Sequence, residues 1–533
     1  MKKRLHKRIT ALVLTLVMLA LAACGNAAQD SGSSAAESTG SVAESTAEST
    51  EQAPAAEELP YVKLKWYQLA TTPADYKAVE AAMNEILLEK INAEIEIVFA
   101  DPDYDQKMML AINSGEEFDI MFTCSWTANY YNNAKSGAFV RLDDPANNLL
   151  EQYGQDMVDL INPNFFEGAK VDGGIYAIPV NKELAIQPVW NVNVDVAEKY
   201  GFDYETILST PDVYYSDEFL EALKKVKEAA AADGDPEFRP LGGGMDWIAE
   251  NHMMGYIDLV PGAVLASFSY EYGNPQDSDY QISLYPDTEE YKKMVARQRE
   301  FYLADLIYKG KEVDSNVVDV NKTGKWLLDW YHYMPLNEIS DSESKGYPVD
   351  VVPVCEPVVT TGSTQGAMNA ISVTSKNPER AMMFLNLVNS DPELRQMLSY
   401  GIEGVHYTLD ENDRMVRTAE QSALYAPYNF ALGNVFLVKL GPNDPADKWD
   451  QFNAWNDSAY GSPLLGFNFD ATPVINEHAA LQNVKDEFNR GLLWGSVNPD
   501  EVLPKYVEKL KAAGADKYIA EVQRQVDEWL KTK

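Results

Sequence analysis

The sequence predicts an α/β protein with a parallel sheet, divided into two or more domains and exported from the cell that makes it. Three observations carry this. Between residues 61 and 123, segments with a two-residue hydrophobic period alternate with segments of helical period. About 475 residues follow a low-complexity N-terminal tract, more than a single core usually accommodates. The first residues have the layout of an export signal.

Taken in chain order, Lys2, Lys3, Arg4, Lys7 and Arg8 form a basic start, and an apolar stretch runs from Ala11 to Ala23, broken only by Thr15. A membrane-spanning helix needs about 20 apolar residues, so this stretch has the length of a signal-peptide core instead. It ends in Leu21-Ala22-Ala23-Cys24, which resembles a bacterial lipobox. That resemblance implies removal of residues 1–23, acylation of Cys24 and anchoring to a membrane through the N-terminal lipid. An ordinary secretory signal beside an incidental cysteine is the alternative, but the order of the four features favours the lipobox. Residues 24–59 are dominated by Ala, Ser, Thr, Gly, Glu and Gln, with no Lys or Arg. Such a tract buries too little apolar area to offset its chain entropy, which predicts a disordered tether spanning roughly 30 Å.

The folded part opens with Tyr61-Val62-Lys63-Leu64-Lys65-Trp66-Tyr67, alternating as a strand does. Pro73 and Asp75 introduce a helix with apolar positions at Val79, Met83, Ile86 and Leu87. Glu94 to Phe99 reads as a second strand, Tyr104 to Ile112 as a helix and Phe118 to Thr123 as a third strand. Strands alternating with helices of this length predict βαβ units and a parallel sheet. Ligands of such sheets sit at the carboxyl ends of the strands, which directs attention to the turns after Tyr67 and Thr123.

Composition excludes several functions. A net charge of −38 opposes nucleic-acid binding, which depends on Lys and Arg neutralising phosphates. His6, His252, His332, His406 and His478 are dispersed, no H-E-x-x-H occurs and no cysteine pair has zinc spacing, so no metal or other cofactor is expected. Gly242-Gly243-Gly244 is followed by Trp247 where a dinucleotide fingerprint has its last glycine, and Gly362-Ser363-Thr364-Gln365-Gly366 centres on Thr rather than Ser. No enzyme activity is indicated. With Cys24 acylated, Cys124 and Cys355 remain, either as a disulfide or as two buried thiols.

Three segments then resemble the extracellular solute-binding proteins of family 1: Gly115-Glu116-Glu117-Phe118-Asp119-Ile120, Gly173-Gly174-Ile175-Tyr176-Ala177-Ile178-Pro179 and Ser375-Lys376-Asn377-Pro378-Glu379-Arg380-Ala381-Met382-Met383-Phe384-Leu385. In the last, Asn377 is expected to cap a helix that starts at Pro378 and packs Met382, Phe384, Leu385 and Val388. Tyr400-Gly401-Ile402-Glu403-Gly404-Val405-His406-Tyr407, Gly466-Phe467-Asn468-Phe469-Asp470 and Lys511-Ala512-Ala513-Gly514-Ala515-Asp516-Lys517 resemble the LipO-like branch, which carries its own C-terminal domain. Val405 departs from the branch, where Lys is frequent. The helix from Asp516 carries Ile519, Val522, Val526 and Trp529 on one face for docking.

The resemblance implies a two-lobed periplasmic-binding-protein-like fold of type II, with a ligand cleft between hinged lobes. Lobe one is expected to take residues 60–178 and 364–408; lobe two takes 179–363 and 409–533, including the C-terminal region. It further implies a monomer that captures a small-molecule ligand and passes it to ABC permease subunits. For the ligand, flat aromatic platforms with amides and carboxylates around them suit an oligosaccharide. Candidate binding residues are Tyr67 and Gln68 after the first strand, Ser125 and Trp126 after the third, Asp246 and Trp247 after the triple glycine, and Trp455 in its polar setting. Trp190, Trp326, Trp330 and Trp529 fall in apolar or helical stretches and are expected in the core. A peptide or other polar solute, a surface sensor or adhesin without a transporter, and a lipoprotein glycosidase are the competing functions.

Overall fold

The expected alternation forms as β1 (Val62–Leu69), α1 (Tyr76–Ile91), β2 (Ala93–Ala100), α2 (Tyr104–Ser114) and β3 (Ile120–Thr123). β1 pairs in parallel with β2 on one side and β3 on the other, so the two helices are crossovers of βαβ type. α1 buries Val79, Met83, Leu87 and Ile91, the stripe spaced three and four residues apart. Glu80 shares that buried face; its carboxylate accepts the Ile97 backbone N–H at 2.8 Å and pairs with Lys77 at 2.7 Å, which satisfies an otherwise costly buried acid.

The sheet does not stay parallel. Met368–Ile371 adds antiparallel to β3, and Ala177–Pro179 adds antiparallel to Met368–Ile371, giving five strands in the order β2, β1, β3, Met368–Ile371, Ala177–Pro179. The helix Pro378–Ser390 starts at the expected proline and buries Met382, Phe384, Leu385 and Val388. Asn377 precedes it without a side-chain capping bond; Ser375 Oγ accepts its backbone N–H at 3.1 Å instead.

The computed structural model describes residues 59–209, 212–243, 257–270, 274, 277–311, 313 and 318–533. Residues 1–58, with Cys24, and the segment 244–256, with Asp246 and Trp247, lie outside the described residues. Within Leu59–Lys533 there are two large cores, which makes the unit two-lobed. The first holds β1–β3 and extends to Val180, Leu184, Ala185 and Val359, and then to Tyr425, Ala431 and Leu432. The expected boundaries put these seven residues in the second lobe; their apolar side chains pack instead in the first core.

The second core is built on the antiparallel strands Pro188–Asn193, Leu328–His332 and Val349–Pro353. Trp190 and Trp330 meet across it with ring centroids 3.6 Å apart. Trp190, Trp326 and Trp330 are buried, as expected for core tryptophans. The helices Ile475–Leu493, Pro499–Ala512 and Ala515–Leu530 complete this lobe against the helix Glu289–Leu303. In the last helix Val522 and Val526 are fully buried, with Ile519 and Trp529 packed beside them. Gln523 and Gln525 join the docking: Gln523 accepts the Ile282 N–H and donates to the Tyr280 carbonyl, and Gln525 does the same for Asp470.

The chain passes between the cores three times, after Ala185, before Val358 and between Leu432 and Leu464. At these crossings Val358–Val359 pairs with Tyr460–Gly461, and Ile186 bridges Val358. Cys124 and Cys355 are buried and unpaired; no disulfide forms.

Candidate functional site in the cleft between the lobes

The turn after β3 presents an aromatic face. Residues 124–129 fold back tightly: Ala128 adopts the left-handed φ of 42°, and Asp105 on α2 accepts its backbone N–H at 2.7 Å. The Cys124 sulfur accepts the Thr127 N–H at 3.3 Å. Trp126 is thereby held at the tip, 58% exposed, its indole N–H donating to the Gly366 carbonyl at 2.8 Å. Phe122 and Phe430 flank its ring at 6.1 and 6.3 Å, and Tyr428 stacks on Phe430 at 5.8 Å. A large, flat, apolar ring left exposed at the carboxyl edge of a sheet makes Trp126 a candidate for binding.

Beneath this face runs the hinge. Lys182 and Glu183 form a largely buried ion pair, with Lys182 Nζ close to Gly366, whose carbonyl accepts from the indole. The Gln365 amide donates to the Gly168 carbonyl at 2.8 Å and reaches Asn468 of the second lobe at 3.4 Å. Ser125 donates its backbone N–H to the Gln365 carbonyl at 2.9 Å.

Two adjoining cavities lie between the lobes. One of about 550 Å³ has Ser125, Ile186, Thr360 and Gly362 on one side. Asp258–Leu265 and the helix residues His478, Gln482, Lys485 and Asn489 form its other side. A second of about 280 Å³ shares Ser125, Pro261, Gly262, Gly362 and His478, and adds Asn129, Asn132, Gln365 and Asn468. Beyond it a cavity of about 710 Å³ continues past Tyr131, Asn468 and Asp470 to the C-terminal helix. Ser462 Oγ donates to the buried Asp258 carboxylate at 2.8 Å. Burial opposes ionisation of Asp470, but hydrogen bonds from Thr472 and the Lys135 charge outweigh it and hold that carboxyl below its usual range. Among the described residues no cluster of three or more metal-ligating side chains occurs.

The expected site residues divide accordingly. Ser125 lines both nearer cavities; Trp126, next to it in sequence, is exposed and lines none of the three. Tyr67 is buried, donating to Glu116 at 2.5 Å and packed edge-on to Phe118. Gln68 is fully buried, its amide donating to the Ala431 carbonyl and accepting the Leu69 N–H. Neither reaches the cleft, because both side chains are used to close the interior of lobe one. Trp455 is half-buried at the hinge, donating to Gln187 at 2.7 Å and packed on Tyr333 and Phe452; it lines none of the three cavities. The sequence reading missed Phe430, Tyr428, Lys182 and Glu183. The aromatic alternation in Tyr425-Ala426-Pro427-Tyr428-Asn429-Phe430 was the available signal for the first two.

Comparison with known proteins agrees with this architecture. Residues 463–531 match a domain of unknown function, DUF3502. The whole chain is 28% identical over 535 residues, 96% of each chain, to a carbohydrate ABC transporter substrate-binding protein of Streptococcus pneumoniae serotype 4 (strain ATCC BAA-334 / TIGR4). Among solved structures it aligns with the N-glycan transport solute binding protein NgtS from Streptococcus pneumoniae at a TM-score of 0.75 and 26% identity, covering 89% of this chain and 99% of that one. NgtS in complex with Man5GlcNAc aligns at a TM-score of 0.66 over the same shares. These relatives are named as solute-binding proteins rather than enzymes, and among the described residues no helix is long and apolar enough to cross a membrane. The chain thus has a two-lobed periplasmic-binding-protein fold, carries a DUF3502 region, and is similar over nearly its whole length to a bacterial carbohydrate ABC transporter substrate-binding protein.

Proposed function

We propose that this protein is the lipid-anchored, extracellular substrate-binding component of an ABC importer, and that it captures an oligosaccharide by closure of its two lobes. The observation that carries this is the exposed face of Trp126, set beside Phe430 on one lobe and next in sequence to Ser125, which lines a cavity whose other wall offers His478, Gln482, Lys485 and Asn489. A pyranose offers an apolar C–H face and a rim of hydroxyls, and this pairing of surfaces suits it. NgtS, similar over the whole folded part, has been solved with Man1GlcNAc and Man5GlcNAc, which favours oligosaccharides of mannose and N-acetylglucosamine.

In this mechanism the sugar contacts both lobes only when they approach, so its differential affinity shifts the population toward the closed state. The three hinge crossings allow that motion, and we place the lobe boundaries at them. A lower TM-score to the oligosaccharide complexes of NgtS than to its other structure is in keeping with lobes that change orientation. Cys24 would carry the lipid, and the closed monomer would dock on permease subunits.

A thermal-shift screen of residues 59–533 against oligosaccharides and peptides tests this. A ligand at a hundred times its Kd adds about 2.7 kcal/mol to stability. Stabilisation by Man5GlcNAc or a related glycan is the expected result; stabilisation by peptides alone would overturn the sugar assignment.

A further inference from the structure

The helix Ile475–Leu493 lies inside the DUF3502 region, and one of its faces is turned into the cleft. Ile475, His478, Gln482, Lys485 and Asn489, spaced three or four residues apart, line the cavities, while Leu481, Leu492 and Leu493 anchor the helix in the second core. His478 borders both nearer cavities, as do Ser125 and Gly362 across the cleft.

Its tautomer follows from its neighbours. His478 Nδ1 lies 2.9 Å from the hydroxyl of Tyr518, a fully buried residue of the last helix. That hydroxyl already accepts the backbone N–H of Val264 at 2.8 Å. Its own proton has one acceptor among the described residues, His478 Nδ1. With the Val264 N–H already on that oxygen, the arrangement favours a ring that accepts at Nδ1 and carries its proton on Nε2. Burial also lowers the basicity of the imidazole, which keeps the ring neutral. Val264 belongs to the loop forming the neighbouring wall of the cavity, so Tyr518 holds loop and helix in register.

We infer that His478 is a ligand-binding residue whose Nε2–H, fixed by Tyr518, donates to an uncharged oxygen of the bound sugar, and that the DUF3502 region forms one wall of the ligand site. A neutral donor suits a hydroxyl, ring or acetamido oxygen; a carboxylate would call for a cation there. Gln482, one turn further along the stripe, offers both a donor and an acceptor to the same ligand. The inference rests on the oligosaccharide reading for its ligand but not for its geometry.

Two measurements on residues 59–533 test it. Imidazole 15N–1H correlation of the ligand-free, histidine-labelled protein at pH 7.5 should give the Nε2–H signature for His478, assigned by its loss in His478→Gln. Tyr518→Phe should turn that signature into a tautomer mixture, which a purely structural role for Tyr518 would not do. An Nδ1–H or doubly protonated ring in the unsubstituted protein would overturn the proposal. In titration with Man5GlcNAc, His478→Ala should bind about tenfold more weakly, the loss of one enclosed hydrogen bond. His478→Gln, whose amide replaces Nε2–H, should stay within about threefold. Undiminished binding by His478→Ala would refute the contact. Should the unsubstituted protein not bind Man5GlcNAc, the ligand reading fails, and the tautomer measurement alone decides the proposal.

Discussion

Replacing Trp126 by Ala removes the aromatic face without touching the hinge or the second lobe. A tryptophan side chain offers up to about 250 Å² of surface. At 58% exposure, roughly 145 Å² of it remains open to solvent. A pyranose lying on one side of the ring covers about half of that, some ~70 Å², which at ~25 cal/mol per Å² is worth about 1.8 kcal/mol. The expected loss is therefore about 20-fold in Kd. Isothermal titration of Man5GlcNAc into residues 59–533 measures it, and the Trp126→Phe variant, which keeps a flat ring but loses the N–H to Gly366, should fall by less than about fivefold. A circular-dichroism melt of each variant checks that the lobe remains folded. Unchanged affinity in Trp126→Ala, with the unsubstituted protein binding, would refute the claim that the sugar stacks on this ring.

Other outcomes follow from the same structure. Burial pushes the thiols of both Cys124 and Cys355 up to about 12, so Ellman's reagent should titrate neither in the native protein and both after denaturation; a prompt native reaction would contradict their placement. Burial likewise pushes the Asp329 carboxyl up to about 6, above its unfolded value near 4, so its contribution to stability is full below about pH 4 and is lost as pH rises through 6. Asp329→Asn, which keeps the acceptor for the Trp330 backbone N–H, should be more stable than the parent by roughly 3 kcal/mol at pH 7, the gap closing toward pH 4; a gap independent of pH in urea melts would be the contrary result. Below pH 6.5 that variant should lose stability, because burial lowers the neighbouring His332 to about 4 and the unfolded chain then takes up its proton first. Gly495 combines a φ of 66° with close packing on the Gln298 carbonyl, so Gly495→Ala should cost roughly 3 kcal/mol or more and loosen the C-terminal helices from Glu289–Leu303; a melt within a degree of the parent would argue against that packing.

Much of the fold was legible because it rests on local periodicity. β1 through β3 and their two helices follow from alternating and three-to-four spacing, and the buried face of Ala515–Leu530 was visible as Val522 and Val526. The strands Ala177–Pro179 and Met368–Ile371 were not, since three or four residues carry no period and their partner is set by tertiary contact nearly 200 residues away. The site was less legible still. Position at a strand end put Ser125 on the cleft cavities and Trp126 beside it, but the same rule misplaced Tyr67 and Gln68, whose partners Glu116 and Ala431 are distant in sequence. His478 looked like one dispersed histidine among five. Only the fold shows that its helix stripe faces a cleft rather than bulk water, because a polar stripe on an amphipathic helix reads as solvated surface from sequence alone.

A crystal structure of residues 59–533 with the oligosaccharide that stabilises it most tests the central claim directly. The account predicts a sugar ring within about 4 Å of the Trp126 face, an oxygen of the same ligand on His478 Nε2, and lobes drawn closer together than without it. A ligand held by one lobe alone, with Trp126 still open to solvent and the lobes unmoved, would contradict it.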